Sequence, residues 1–164
     1  ARMSYQVVRL DDPELFNYPF IYISEPGTMR LTDAEVDGFR EFLHRGGFAM
    51  VDDFDGYTDL SNWDWNLKRM YPDREMIPLT VNHPIFHTFY DISDLDVTAF
   101  AASPGWPVFY GYPADNGEAT SMIICFNNDI GDLWEWLDQP VYPLKPSAEG
   151  VRLGINFVLY ALTH

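Results

Sequence analysis

Basic residues are scarce in this chain. Ten lysines and arginines stand against 25 aspartates and glutamates among 164 residues, a formal charge of −15. A surface this acidic repels phosphate backbones, so binding to nucleic acid without bridging cations is excluded. Anionic membrane surfaces are disfavoured for the same reason. Cysteine is nearly missing. The single Cys125 cannot form an internal disulfide. It sits inside Met122-Ile123-Ile124-Cys125-Phe126 with no flanking glycine, which reads as a small core hydrophobe rather than a nucleophile. No apolar run approaches the roughly 20 residues that span a bilayer, so no transmembrane segment is expected. There is no Gly-x-Ser-x-Gly elbow, no phosphate-cradling glycine loop and no dinucleotide fingerprint. Residues 1–6 lack the basic-then-apolar order of a signal peptide. No repeat or low-complexity tract breaks the chain, and a single domain over residues 1–164 is expected.

What is present is a well-punctuated series of apolar segments. Tyr5 to Leu10 predicts a short strand ended by Asp11-Asp12-Pro13. Phe20-Ile21-Tyr22-Ile23 and Phe48-Ala49-Met50-Val51 are continuous apolar runs, predicting strands buried on both faces. Between them, Thr32-Asp33-Ala34-Glu35 is a capping box. Val36, Phe39, Phe42 and Leu43 then form one apolar helix face, and Gly46-Gly47 ends the helix. Ser61-x-x-Asp64 predicts the start of a second helix, with Trp63, Leu67 and Met70 as its buried stripe and Pro72 beyond it. Short strands are expected within Glu75–Leu79 and Val108–Tyr112, a turn and short helix over Asn82–Tyr90, and loop through most of residues 93–119. Ser121 to Phe126 is a third strong strand, and Asn127 to Leu137 reads as a polar loop. Ser147 to Leu162 predicts a long helix with Val151, Ile155, Val158 and Leu162 on its main face, and Phe157, Leu159 and Tyr160 make it apolar on other sides too, so it is expected to be largely covered. The alternation predicts an α/β fold with a mostly parallel sheet.

In such sheets ligands lie outside the carboxyl ends of the strands. That rule selects Ser24 and Glu25 after the first run, Asp52, Asp53 and Asp55 after the second, and Asn127, Asn128, Asp129, Asp132 and Glu135 after the third. Converging carboxylates repel, so either one has a raised pKa or a cation sits among them. Calcium or magnesium would suit Asp52, Asp53 and Asp129. A protonated and an ionised carboxyl could instead serve as acid and base. Local turn and cap duties explain such residues equally well. His83 and His87 are four apart, but Pro84 disfavours a helical His83, and no metalloprotease pattern follows. A backbone-bonded structural His87 is expected, with His44 on the surface and His164 frayed. Trp134, beside the Asp129 and Asp132 stretch, is the candidate ligand-facing ring.

Several motifs together resemble a known family. They are Leu31-Thr32-Asp33-Ala34-Glu35, Gly46-Gly47-Phe48 running into Asp52-Asp53, and His83-Pro84-Ile85-Phe86. Asn128-Asp129-Ile130-Gly131-Asp132-x-Trp134-Glu135, Gly154-x-Asn156 and a closing Tyr160-Ala161-Leu162-Thr163-His164 complete them. Across nearly the whole chain they are similar to a bacterial family of unknown function with a class I glutamine amidotransferase-like fold, related to trehalose-utilisation proteins. The resemblance implies a flavodoxin-like three-layer sandwich, here lacking the family's first strand and helix, and an exported or periplasmic setting. It also implies no glutaminase activity: Asp52-Asp53 occupy the elbow where amidotransferases carry their cysteine, and no His-x-Glu pair follows.

Three functions fit. The first is a binding module of a bacterial envelope system, holding a protein partner or a small polar or carbohydrate ligand at Glu25, Asp52, Asp53, Asn128, Asp129, Asp132, Trp134 and Glu135. The second is a carboxylate- or metal-dependent hydrolase, with Asp52 or Asp53 as base or metal ligand, Asp129 and Asp132 assisting, and His83 as proton shuttle. The third is a structural scaffold.

Overall fold

The computed structural model describes residues 5–96 and 105–164. Part of the predicted loop, residues 97–104, lies outside them. Among the described residues, five strands and four helices run in the order β1 (Phe20–Ser24), α1 (Asp33–His44), β2 (Phe48–Phe54), α2 (Gly56–Met70), β3 (Ile77–Pro78), β4 (Val108–Pro113), β5 (Thr120–Phe126), α3 (Ile130–Glu135) and α4 (Leu144–Thr163). A 3-10 turn at Pro84–Phe86 takes the place of the predicted short helix. The sheet order is β1-β2-β5-β4-β3.

The α/β class holds, but the sheet is mixed rather than mostly parallel. β1, β2 and β5 are mutually parallel, whereas β4 pairs antiparallel with both β5 and β3. The reason is the link between β4 and β5. Parallel neighbours need a crossover of a dozen or more residues, and only residues 114–119 intervene. Asn116 closes this hairpin, accepting from the Glu118 and Ala119 backbone N–H groups, and Gly117 takes φ 71°.

Helices cover both faces. Val36, Phe39, Phe42 and Leu43 of α1 and Trp63, Leu67 and Met70 of α2 pack on Ile21, Ala49, Val51, Met122 and Ile124. Ile130 and Leu133 of α3 and Leu153, Phe157 and Tyr160 of α4 pack on Phe48, Met50, Ile123 and Cys125. The capping box is formed as predicted: Thr32 Oγ1 accepts from Glu35 N–H at 3.2 Å, and the Glu35 carboxylate accepts from Thr32 N–H at 2.9 Å.

Five local predictions are corrected. Residues 5–9 carry no ladder, so Tyr5–Leu10 is not a strand. β1 is an edge strand with Tyr22 41% exposed, because only β2 pairs with it. α2 begins at Gly56, so Ser61 and Asp64 lie inside it rather than capping it. The polar stretch after β5 contains α3, since Asp129 accepts from Asp132 N–H and so caps a helix start. On α4 the buried side is Gly150, Leu153, Gly154, Asn156, Phe157 and Tyr160, while the predicted face of Ile155, Val158 and Leu162 is exposed. α3 is the cause. Adding a Cβ to Gly150 would place it 2.8 Å from Leu133, and at Gly154 it would lie 2.5 Å from the Trp134 ring. The two glycines therefore admit the second helix at close range and fix which side of α4 turns inward.

Candidate functional site

The chain leaves β2 toward the α1/α2 face and leaves β5 toward the α3/α4 face. Adjacent parallel strands whose connections part to opposite sides open a crevice beyond their carboxyl ends. Such a cleft, of about 340 Å³, lies there, lined by Glu25, Gly27, Thr28, Asp53, Phe54, Asp55, Asp59, Asn128 and Asp129. The strand-end stretches thus meet at one rim, as the sequence rule required. Five of the lining residues carry carboxylates and none is basic.

The rim is built from unusual backbone. Glu25, Asp53 and Asn127 have φ of 52°, 62° and 52°, and they are the non-glycine residues with positive φ among those described. Each stands at the carboxyl end of a different parallel strand. Left-handed backbone is disfavoured for a residue with a side chain, less so for Asp and Asn than for Glu, and it tends to persist where the surroundings over-determine it. Here they do. Asp53 sits in a break of register between Val51 and Phe54, its N–H donating to Asn128 O at 3.1 Å and its carboxylate accepting from Ser24 Oγ at 3.0 Å. Glu25 N–H donates to Asp52 O at 3.1 Å. Asn127 Oδ1 accepts from Gly56 N–H at 3.0 Å, and its Nδ2 donates to Trp106 O at 3.1 Å. Asn127 thereby ties the start of α2 to the loop before β4. Tyr57 and Trp106, at these two tie points, are 82% and 74% exposed.

Asp52 and Asp53 part company. Asp52 turns to the α3 face and is fully buried. Its Oδ2 accepts from Gly131 N–H at 2.8 Å and from the Tyr22 hydroxyl at 3.0 Å, while Oδ1 has no hydrogen-bond partner. Burial raises its pKa to about 7, against the lowering pull of the Gly131 and Ile130 N–H groups. Asp129 stays at the cleft. Its pKa rises to about 6, mainly through desolvation and further through the nearby charges of Asp53 and Asp132. Asp132 accepts from the Tyr142 hydroxyl at 2.8 Å, which pushes that phenol up to about 12.

The remaining predicted site residues lie elsewhere. His83 is a strand's length from the cleft. Its ring packs on Tyr160, whose own ring meets Phe48 at the start of β2 and whose hydroxyl accepts from Thr120 N–H at the start of β5. His83 Nδ1 accepts from Ile85 N–H at 3.3 Å, and burial lowers its pKa, so it caps a turn and cannot shuttle protons to the carboxylates. Trp134 is structural rather than ligand-facing: Nε1 donates to Gly150 O at 2.7 Å, and its ring packs against Tyr22. Glu135 is exposed and does not line the cleft. Asn128 lies buried at the cleft wall. His87 bonds to Val81 O at 2.6 Å, as expected of a structural histidine. His164 is stacked on Tyr160 at 4.2 Å rather than frayed. Among the described residues no three His, Cys, Asp or Glu side chains are placed to hold a metal ion. With Asp52 turned away, the expected Asp52/Asp53/Asp129 set for calcium or magnesium does not assemble.

The sequence reading missed Asp59 and Tyr22. Asp59 follows Asp55 by one helical turn, a signal that a helix start at Ser61 hides. Tyr22 lay within an apolar run and looked like core.

Fold and rim together define an α/β domain with an acidic strand-end cleft. The chain belongs to the family described as Domain of unknown function (DUF4159), which matches residues 1–162. No curated protein matches it. No helix among the described residues is long and apolar enough to cross a membrane.

Proposed function

We propose that the chain is a binding module whose strand-end cleft receives a positively charged group from a ligand or partner protein. One observation carries this reading: three strand ends and the first turn of α2 deliver Glu25, Asp53, Asp55, Asp59 and Asp129 to one crevice with no basic lining residue. Their mutual repulsion is relieved by a cation entering from outside. The open rings of Tyr57 and Trp106 suit cation–π contact at the margin. The amidotransferase-like resemblance adds a setting, an envelope-associated bacterial domain that has kept the fold and lost the thiolate chemistry.

Calorimetric titration with an oligolysine peptide, a neutral oligosaccharide, and calcium or magnesium tests the reading. The peptide is expected to bind with salt-sensitive affinity, weakened at least tenfold by Asp53→Asn or Asp129→Asn. Asp37→Asn, on the outer face of α1, controls for the general attraction of a −15 chain. Equal binding by all three variants would sink the proposal, and saccharide binding alone would replace the charge argument with stacking.

The hydrolase reading has one supporting observation: Asp53 and Asp129 share the cleft, and Asp129 is driven toward protonation beside Asp53. An acid–base pair works in that way. Turnover of a glycoside or amide panel, abolished by either Asp53→Asn or Asp129→Asn, would favour it over simple binding.

A further inference from the structure

Asp52 serves neither the cleft nor any chain of catalytic groups, yet it is a carboxyl with no exposure at the C-terminal end of a central strand. Its roof is α3, six residues long, which keeps two side chains buried, Ile130 and Leu133. The groups that reach Asp52 come from each element around it. β1 supplies the Tyr22 hydroxyl, α3 supplies the Gly131 and Ile130 N–H groups, and the residue capping α3 supplies the Asp129 carboxylate. β5 supplies the Cys125 thiol, itself pushed up by burial. On β2 itself, Asp53 faces the cleft and acts on Asp129. α4 presents Gly150 and Gly154 to α3, and its Glu149 and Arg152 pair with one another. No cation is among these groups, so nothing offsets a negative charge at Asp52 except two N–H groups and a phenol.

We propose that Asp52 is a proton-operated latch for α3: the neutral carboxyl holds the helix down on β1 and β2, and the ionised carboxylate drives it off to admit water. The physical reason is the unpartnered Oδ1. A buried carboxylate must be solvated on both oxygens, and α3, only six residues long, is the helix that covers it. Lifting α3 carries Asp129, its capping residue, out of the cleft wall. The consequence for binding rests on the cleft reading above. The latch itself does not.

Amide hydrogen exchange on the intact wild-type chain, corrected for intrinsic rates, reads the docking of α3 directly at Gly131, Asp132 and Leu133. Docked Asp52 holds a proton that the undocked, hydrated side chain releases. Opening is therefore expected to rise about tenfold per pH unit between roughly pH 5 and 7 and to level off above. Met50 and Ile124 in the core sheet should stay protected throughout. In Asp52→Asn only the rise that Asp129 titrates, ending near pH 6, should remain, with no further rise above it. Tyr22→Phe removes a donor to the carboxylate and should move the plateau to higher pH. Asp129→Asn removes a repelling charge and should move it lower. A wild-type profile already flat, a rise above about pH 6 that survives Asp52→Asn, or α3 amides that exchange only together with Met50 and Ile124 would each overturn the latch. A cleft that binds nothing would leave this result unchanged.

Discussion

The Tyr22 hydroxyl reaches across from the edge strand to donate to Asp52 at 3.0 Å, and the same Asp52 oxygen accepts from Gly131 N–H at 2.8 Å. One buried oxygen thus joins β1, β2 and the start of α3. Its partner Oδ1 has no hydrogen bond. This asymmetry makes the carboxyl a stabilising contact when protonated and a buried charge when not.

The stability of the whole chain should follow from it. The folded pKa of Asp52, about 7, lies above the ordinary 3.8. The sign is therefore that of a group whose stabilisation is complete below the ordinary carboxylate range and lost as pH rises toward 7. Asp52→Asn keeps an acceptor for Gly131 and Tyr22 without the charge. Urea melts should show the variant near wild type at about pH 4.5 and more stable by a few kcal/mol at pH 8, at about 1.4 kcal/mol per pKa unit. A variant less stable than wild type at pH 8 would mean that the carboxylate is satisfied in solution.

Asp53 offers the opposite test. Its φ of 62° favours glycine. Asp53→Gly relieves at most about 1 kcal/mol of backbone strain, since Asp enters the left-handed region more readily than most residues, and removes a hydrogen bond to Ser24 worth about 1 kcal/mol. It also removes one of five crowded carboxylates. Chemical denaturation should find stability equal to wild type or higher, while affinity for oligolysine falls. Loss of more than about 1 kcal/mol would assign Asp53 to folding rather than to the cleft.

How much of this was legible depended on whether the signal was local. The α1 capping box and its Phe39/Leu43 face depend on residues within two turns of each other, and both appeared as read. The rim was legible because strand ends in a parallel arrangement must meet. Two things depended on distant partners and were not legible. Asp52 and Asp53 look equivalent in sequence, but the register break that sends them to different surroundings exists only once β5 is paired. Trp134 looked ligand-facing until Gly150 and Gly154 of α4 received it. The antiparallel β4, by contrast, follows from a local feature, the six-residue turn over 114–119 that Asn116 and Gly117 close.

Asn156 illustrates a polar residue whose role was invisible from its own helix. Fully buried on α4, it accepts from the Phe89 and Tyr90 N–H groups at 3.0 and 2.8 Å and donates to Phe86 O and Tyr90 O, both at 2.9 Å. It therefore closes the backbone of the loop after the 3-10 turn. Asn156→Ala leaves four backbone groups without that partner, so a loss of about 3–5 kcal/mol is expected. Asn156→Asp should also be destabilising, because a carboxylate cannot donate to the two carbonyls. A thermal melt within a few degrees of wild type for both variants would contradict this role.

The outer stripe of α4 supplies the last prediction. Amphipathic periodicity pointed to Ile155, Val158 and Leu162 as the buried face, yet they are 36%, 39% and 57% exposed. Packing is decided instead by the two glycines and by Leu153, Phe157 and Tyr160. Ile155→Gln and Val158→Lys should therefore shift stability by no more than about 0.5–1 kcal/mol, as surface changes do. Gly154→Ala, though a smaller change and one that raises helix propensity, should cost about 1–3 kcal/mol by overpacking the Trp134 ring. The comparison needs only Tm values for three variants. An inverted ranking, with the polar substitutions unfolding the chain and the alanine tolerated, would mean that α4 is rotated about its axis and that α3 does not seat where the cleft requires it.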